Sequence, residues 1–197
     1  MRRLDSTLIN SAFTSAEAGL RILAYHNNDE PLDRTSAAEL YMLLSALRQH
    51  FQHIVVNLTG QPDSEALRTF VSHCDKLLWC TDQSVPDCRR NLAVLNVWRE
   101  KGMKLDHARL LVDRYLKGAA PDSEALGKSF GLEVIAVLPW SPEVRLSAKN
   151  QAQTLFSLAP RESLTQALRA LGERLAKRSE GLEKPSTNWL NRLLRTK

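Results

Sequence analysis

Three short stretches of the chain hold residue types that could handle a phosphate, a metal or a base. The run His53-Ile54-Val55-Val56-Asn57-Leu58-Thr59-Gly60 is apolar and β-branched until it stops at polar, turn-forming residues. It reads as a buried parallel strand opening into a loop. Where such a strand serves nucleotide hydrolysis it ends in an aspartate that holds water on magnesium, and a glycine soon after lets backbone N–H approach phosphate. Here the aspartate position is Asn57 and the glycine is Gly60; a plain core strand with an incidental asparagine fits the same residues. The second stretch is Arg114 and Lys117, which follow a strand ending at Asp113 and suit either an anion or a solvated loop. The third is Gly127-Lys128-Ser129, the ending of a phosphate-cradling loop. That loop needs another glycine five positions before Gly127, and Asp122 stands there as a helix cap, so the sequence excludes it.

Other chemistries find less support. No Gly-x-Ser-x-Gly elbow occurs, the five histidines are scattered, and a pairing of His26 with Asp82 is outweighed by their reading as solvated loop residues. Cys74, Cys80 and Cys88 have no paired spacing of a zinc site or redox motif and read as reduced packing residues. The sequence therefore predicts no catalytic residue and no metal ligand set.

Positioning these stretches requires elements, and the chain supplies them in alternation. Met1 to Glu17 begins basic and turns helical, and Gly19 to Tyr25 forms a strand. Ser36-Ala37-Ala38-Glu39 is a capping box that starts a helix, whose stripe of Leu40, Leu43, Leu44, Leu47 and Phe51 should lie on a sheet. The strand at Ile54–Leu58 follows, then a helix from Pro62 to about Ser72, a strand at Lys76–Thr81, and a helix over Val85–Lys101 with Pro86 in its first turn. A strand at Ala108–Asp113, a helix at Asp122–Phe130 closed by Gly131 and a strand at Glu133–Leu138 complete the pattern. This rhythm specifies an α/β fold: a mainly parallel sheet with helices on both faces, plus C-terminal helices at Val144–Gln153 and Ser163–Ser179. Ligands of such sheets sit beyond the carboxyl ends of the strands, here Tyr25 and His26, Asn57 to Gly60, Thr81 and Asp82, Asp113 and Arg114, and Pro139, Trp140 and Ser141.

The 197 residues suffice for one domain, residues 1–178, followed by a linker at 179–186 and a tail at 187–197. No run approaches the ~20 apolar residues of a membrane-spanning helix and no signal-peptide core is visible, so the expected location is the cytoplasm. From Arg161 onward nine cations face four acids, which is the whole excess of +5. A basic end on a neutral body argues for an anionic surface as its partner rather than for specific nucleic-acid binding. In a tail helix Trp189, Leu190, Leu193 and Leu194 fall on one side, flanked by Arg192, Arg195 and Lys197. Such a helix either rests peripherally on an anionic membrane, helped by dimerisation or a partner, or docks on protein.

Arg3 to Ile9, Gly19 to Ala24 and Phe51 to Leu58 together resemble the ATPase domain of the TadZ/CpaE pilus-assembly proteins, members of the ParA/MinD superfamily of deviant-Walker ATPases. Leu138-Pro139-Trp140-Ser141-Pro142 is similar to the superfamily's segment near the adenine, and Leu111-Val112-Asp113-Arg114 resembles the segment whose asparagine reads the base. The resemblance implies a nucleotide-pocket remnant at Asn57, Gly60, Asp113, Arg114, Pro139 and Trp140. It also marks departures: no phosphate loop or switch aspartate precedes Arg3, Asn57 replaces the metal-linked aspartate, and Asp113 replaces the base-reading amide. The expectation is a degenerate, non-catalytic relative without bound cofactor, a localisation or assembly factor for a pilus or secretion apparatus at the inner membrane face, with protein partners and a homodimer. The alternatives are an active ATPase of the same family whose phosphate loop lies outside this chain, which would bind ATP and magnesium, and an unrelated small-molecule-binding α/β domain.

Overall fold

The structure, a computed structural model, describes residues 11–16, 19–24 and 36–177. The linker and tail positions, Trp189 to Lys197 among them, and Tyr25, His26 and Arg3 to Ile9 lie outside the described residues. The described residues gather into two compact units: those up to Leu77 with Lys101–Lys104, and Leu78–Glu100 with the described residues from Leu105 onward.

In the first unit, β1 (Thr14–Ser15) and β2 (Arg21–Ile22) form a two-stranded antiparallel ribbon. The strand expected over Gly19–Tyr25 is therefore reduced to two exposed residues, because its partner offers only Thr14 and Ser15 to pair with. Helix α1 (Ala37–His50) starts on the predicted capping box: the Ser36 hydroxyl accepts from the Glu39 N–H at 3.3 Å while the Glu39 carboxylate accepts from the Ser36 N–H at 3.0 Å. Its stripe packs on α2 (Glu65–His73), capped by Ser64 and burying Ala66, Leu67 and Val71, rather than on a sheet. Arg48 reaches from α1 to the His73 carbonyl at 2.7 Å, and the Tyr41 ring stands edge-on to His73 with centroids 5.2 Å apart, so polar and aromatic contacts close the C-terminal end of α2.

The run Ile54–Leu58 is a correction. It is irregular backbone and belongs to no ladder; Val55 is 94% exposed and Val56 44%. Its β-branched composition favours extension, but extension becomes a strand only when a neighbour accepts and donates along it, and none of the described residues does.

The second unit carries the sheet: β3 (Leu77–Thr81, whose first residue belongs to the other unit), β4 (Ala108–Tyr115) and β5 (Val134–Pro139), parallel and in the order β3-β4-β5. The helices are α3 (Val85–Glu100), α4 (Ser123–Phe130), α5 (Pro142–Asn150), the single turn α6 (Leu155–Leu158) and α7 (Ser163–Lys177). Helix α4 begins on Asp122, whose carboxylate accepts from the Ala125 N–H at 2.8 Å, and ends on Gly131 in the left-handed conformation. A side chain there would meet the Arg99 guanidinium, which donates to the Phe130 carbonyl at 2.6 Å.

Successive strand residues point to opposite faces, so the two faces can be assigned from contacts. Gly127 of α4 lies on Val134, the partner of Leu110, and a Cβ at Gly127 would come within 3.0 Å of Val134. Leu111 points the other way, into a cluster with Ile135, Leu138, and Leu164 and Leu171 of α7. Helices thus cover both faces. Between β3 and α3 the Trp79 and Trp98 rings meet edge to face at 5.1 Å, and the Trp79 indole N–H donates to Asn91 of α3 at 3.1 Å, which satisfies it.

Two substitutions distinguish core from surface. Phe130→Ala, at a fully buried ring, should lower the unfolding free energy by about 3–5 kcal/mol, and Val55→Asp by less than about 0.5 kcal/mol. Urea denaturation measures both; a loss for Val55→Asp as large as that for Phe130→Ala would return the segment to a buried strand.

Candidate functional site

The chemistry of the second unit gathers at the carboxyl ends of β3, β4 and β5, and the pairing of β4 with β5 explains how. The ladder runs Leu110 to Val134, Leu111 to Ala136, Val112 to Val137, then jumps to Tyr115 opposite Pro139. The first slip gives β5 an extra residue; the second gives β4 one, across Asp113 and Arg114. A bulge of this kind bends the strand and re-aims side chains. Arg114 takes up the bend with φ of 51°, in the left-handed region where a side chain costs about 1–3 kcal/mol.

The bulge sends its two residues to different partners. The Asp113 carboxylate is gripped through both oxygens by the Arg145 guanidinium of α5, one arm at 3.3 Å and the other closer. The Arg114 guanidinium lies over the Trp140 ring, 5.8 Å from its centroid, and the Trp140 N–H donates to the Tyr115 carbonyl at 2.9 Å. Pro139, the last residue of β5, lies opposite Tyr115. Asp113, Arg114, Pro139 and Trp140 are thus neighbours, as the sequence anticipates. Asn57 and Gly60 belong to the first unit, where Asn57 accepts from the Thr59 N–H at 3.0 Å and Gly60, with φ of 80°, closes a turn with open space at its Cβ position.

Around this pair the loops are held by side chains that local sequence reasoning does not find. The Gln83 amide donates to the carbonyls of Ala119 at 3.1 Å and Pro121 at 2.9 Å and accepts from the Leu116 N–H at 2.6 Å, pinning the loop after β4 to the loop after β3. The Asp87 carboxylate accepts from the Thr81 hydroxyl and the Asp82 N–H, both at 3.1 Å, and from Asn91 at 3.0 Å. Asp82 in turn accepts from the Ser84 N–H at 2.7 Å. Glu162 accepts from the Ser141 hydroxyl at 3.0 Å and, more closely, from the Leu164 N–H at the start of α7. Asp82, Asp87, Asp113 and Glu162 are therefore each committed to the protein's own donors. Burial raises the Cys88 thiol, which suits a packing role.

ATP with magnesium can be tested against these residues. Among the described residues no three His, Cys, Asp or Glu side chains converge to hold a metal ion. Asp113 offers only acceptors, and both oxygens already face Arg145. Gly127-Lys128-Ser129 lies inside α4, where Lys128 pairs with Glu124 at 2.7 Å instead of pointing at a phosphate. The described residues do not fit that cofactor. No helix among them is long and apolar enough to cross a membrane.

No protein-family model and no curated protein matches the chain. Solved structures do. A ParA family ATPase from Chlorobium tepidum TLS aligns with a TM-score of 0.75 at 17% identity, over 88% of this chain and 71% of its own. The MinC:MinD cell division protein complex of Aquifex aeolicus aligns at 0.69 and 17%, over 89% and 71%. The septum site-determining protein MinD complexed with Mg-ADP, from Pyrococcus horikoshii OT3, aligns at 0.67 and 15%, over 90% and 72%. At these identities the likeness is one of fold: the chain has the ParA/MinD-type α/β architecture.

Glu162 provides a pH signature of the site. Burial pushes its carboxyl up, but the Leu164 N–H, the Ser141 and Ser163 hydroxyls and the charge of Arg145 together hold it below the ordinary value of 4.5. With the folded value below the unfolded one, its contribution is complete above the unfolded value and is lost as pH falls through the folded value. The urea midpoints of the wild type and Glu162→Gln should therefore converge as pH drops from about 6 to about 3. A gap that stays constant would show that Glu162 is not held as described.

Proposed function

We propose that this chain is a non-catalytic, degenerate relative of the ParA/MinD ATPases that serves as a localisation or assembly factor for a pilus or secretion apparatus at the inner face of a membrane, acting through protein contacts. The observation that carries the reading is the bidentate pair of Asp113 with Arg145. At the position that resembles the base-reading amide stands a carboxylate already neutralised from within the fold. A purine there would have to displace an intramolecular guanidinium to gain a single acceptor, and a fork of two charge-assisted hydrogen bonds outweighs that exchange.

The fold supports a role in assembly, since a solved neighbour with this architecture is a MinC:MinD complex, one protein holding another. The pilus or secretion setting rests on the resemblance of the Arg3–Ile9, Gly19–Ala24 and Phe51–Leu58 segments to TadZ/CpaE proteins. The membrane setting rests on Trp189, Leu190, Leu193 and Leu194 with Arg192, Arg195 and Lys197. The second reading, an active ATPase completed by a phosphate loop outside this chain, has in its favour the Mg-ADP bound by the Pyrococcus horikoshii neighbour.

Calorimetry with ATP and magnesium should give no saturable heat and no phosphate release; tight binding with magnesium-dependent turnover would replace the first reading by the second. For the tail, the full chain should co-sediment with phosphatidylglycerol vesicles and lose that binding on Trp189→Glu plus Leu193→Glu. Undiminished binding by the double variant would take the membrane role away from the tail.

A further inference from the structure

The carboxyl edge of the sheet exposes apolar side chains beside exposed cations. Val85 at the start of α3 is 54% exposed, Leu116 just past β4 is 57% exposed, and Trp140 just past β5 is 47% exposed. They are not scattered. The Gln83 amide joins the loop two residues before Val85 to the Leu116 backbone, and the Trp140 N–H joins the Tyr115 carbonyl, so each lies at a strand end tied to the next. Arg114 and Lys117 stand exposed among them, and neither meets a carboxylate among the described residues.

We infer that this edge is a docking surface for an acidic peptide segment of a partner protein, one that carries aliphatic side chains next to its carboxylates. The inference rests on the reading that the chain works through protein contacts, and names the chemistry of the contact. The Trp140 face and the side chains of Leu116 and Val85 supply the apolar area that such a segment would cover, and aromatic and arginine anchors of this kind dominate protein interfaces. Arg114 rests on the indole and meets no carboxylate among the described residues, so its guanidinium can fork onto a planar carboxylate. The left-handed backbone at Arg114 holds that guanidinium out of the sheet, and the three hydrogen bonds of Gln83 hold the following loop in place before anything binds, which lowers the ordering cost of association.

Charge decides between occupants. A flat anionic membrane responds to net positive charge over a broad area, but the same edge carries Asp82, Asp122 and Glu143, and the Arg145 charge is cancelled by Asp113. The field is mixed, with Arg114 and Lys117 as exposed cations at the end of β4, which suits a segment placing one or two carboxylates.

The test uses the full chain and an array of capped octapeptides in which glutamate, lysine and leucine content vary independently, with affinities of hits measured by fluorescence anisotropy. Peptides combining glutamate with leucine should bind saturably, and their lysine counterparts should not. Arg114→Gly combined with Lys117→Ala, and separately Trp140→Ala, should each weaken binding at least tenfold, while Arg114→Gly leaves the melting temperature unchanged or raised because glycine is at ease at that φ. Binding that ignores peptide charge, affinities unmoved by these substitutions, or binding to phosphatidylglycerol vesicles through Arg114 and Lys117 with no peptide bound, would overturn the inference. If no peptide binds and ATP with magnesium does not bind either, the docking surface fails while the non-catalytic reading stands. If ATP with magnesium binds and displaces the peptide, both fail.

Discussion

The constraint on which the second unit turns is the pair of compensating register slips between β4 and β5. Two parallel strands that pair residue for residue would carry Asp113 and Arg114 to alternate faces of a regular sheet. Because the ladder slips after Leu110 and again between Val112 and Tyr115, β4 must fit an additional residue, and Arg114 absorbs it in a left-handed conformation. That local distortion delivers Asp113 to Arg145 and Arg114 to Trp140. The carbonyl of Ile135, at the first slip, is met by the Arg174 guanidinium from α7, so a hydrogen-bonding group at the irregularity keeps a partner.

Much of this architecture was legible in the residues. Ser36 with Glu39, Asp122 with Gly131, and the leucines of Ser163–Lys177 mark helices by cap chemistry and period, and the structure places helices there. The apolar runs that became β4 and β5 were equally plain, and so was the grouping of Asp113, Arg114, Pro139 and Trp140 at their carboxyl ends. What could not be read were pairings set by distance in the chain. Arg145 lies 32 positions from Asp113, and Gln83 lies 33 from Leu116, with nothing local in either neighbourhood to name its partner. The bulge that makes the Asp113–Arg145 contact possible has no glycine to announce it.

The run at Ile54–Leu58 shows the opposite failure, a strong local signal without a structural outcome. Propensity describes how well a residue suits a pleated, half-buried surface. Where no described residue pairs alongside to create that surface, the same valines are left exposed, and the helix expected to cover them finds α2 instead. The two-residue pairing of β1 with β2 has the same origin, since a ladder can be no longer than its shorter side.

A bare aliphatic stretch of this kind has a practical consequence. Proteases take up their substrates in extended form, and cross-β fibrils grow by adding just such uncharged, branched segments. With Val55 and Val56 exposed and unladdered among the described residues, this segment offers proteases and growing strands a ready extended stretch while adding little to the core. A substitution that breaks this stretch would therefore act on association and nicking while leaving the packed core as it is.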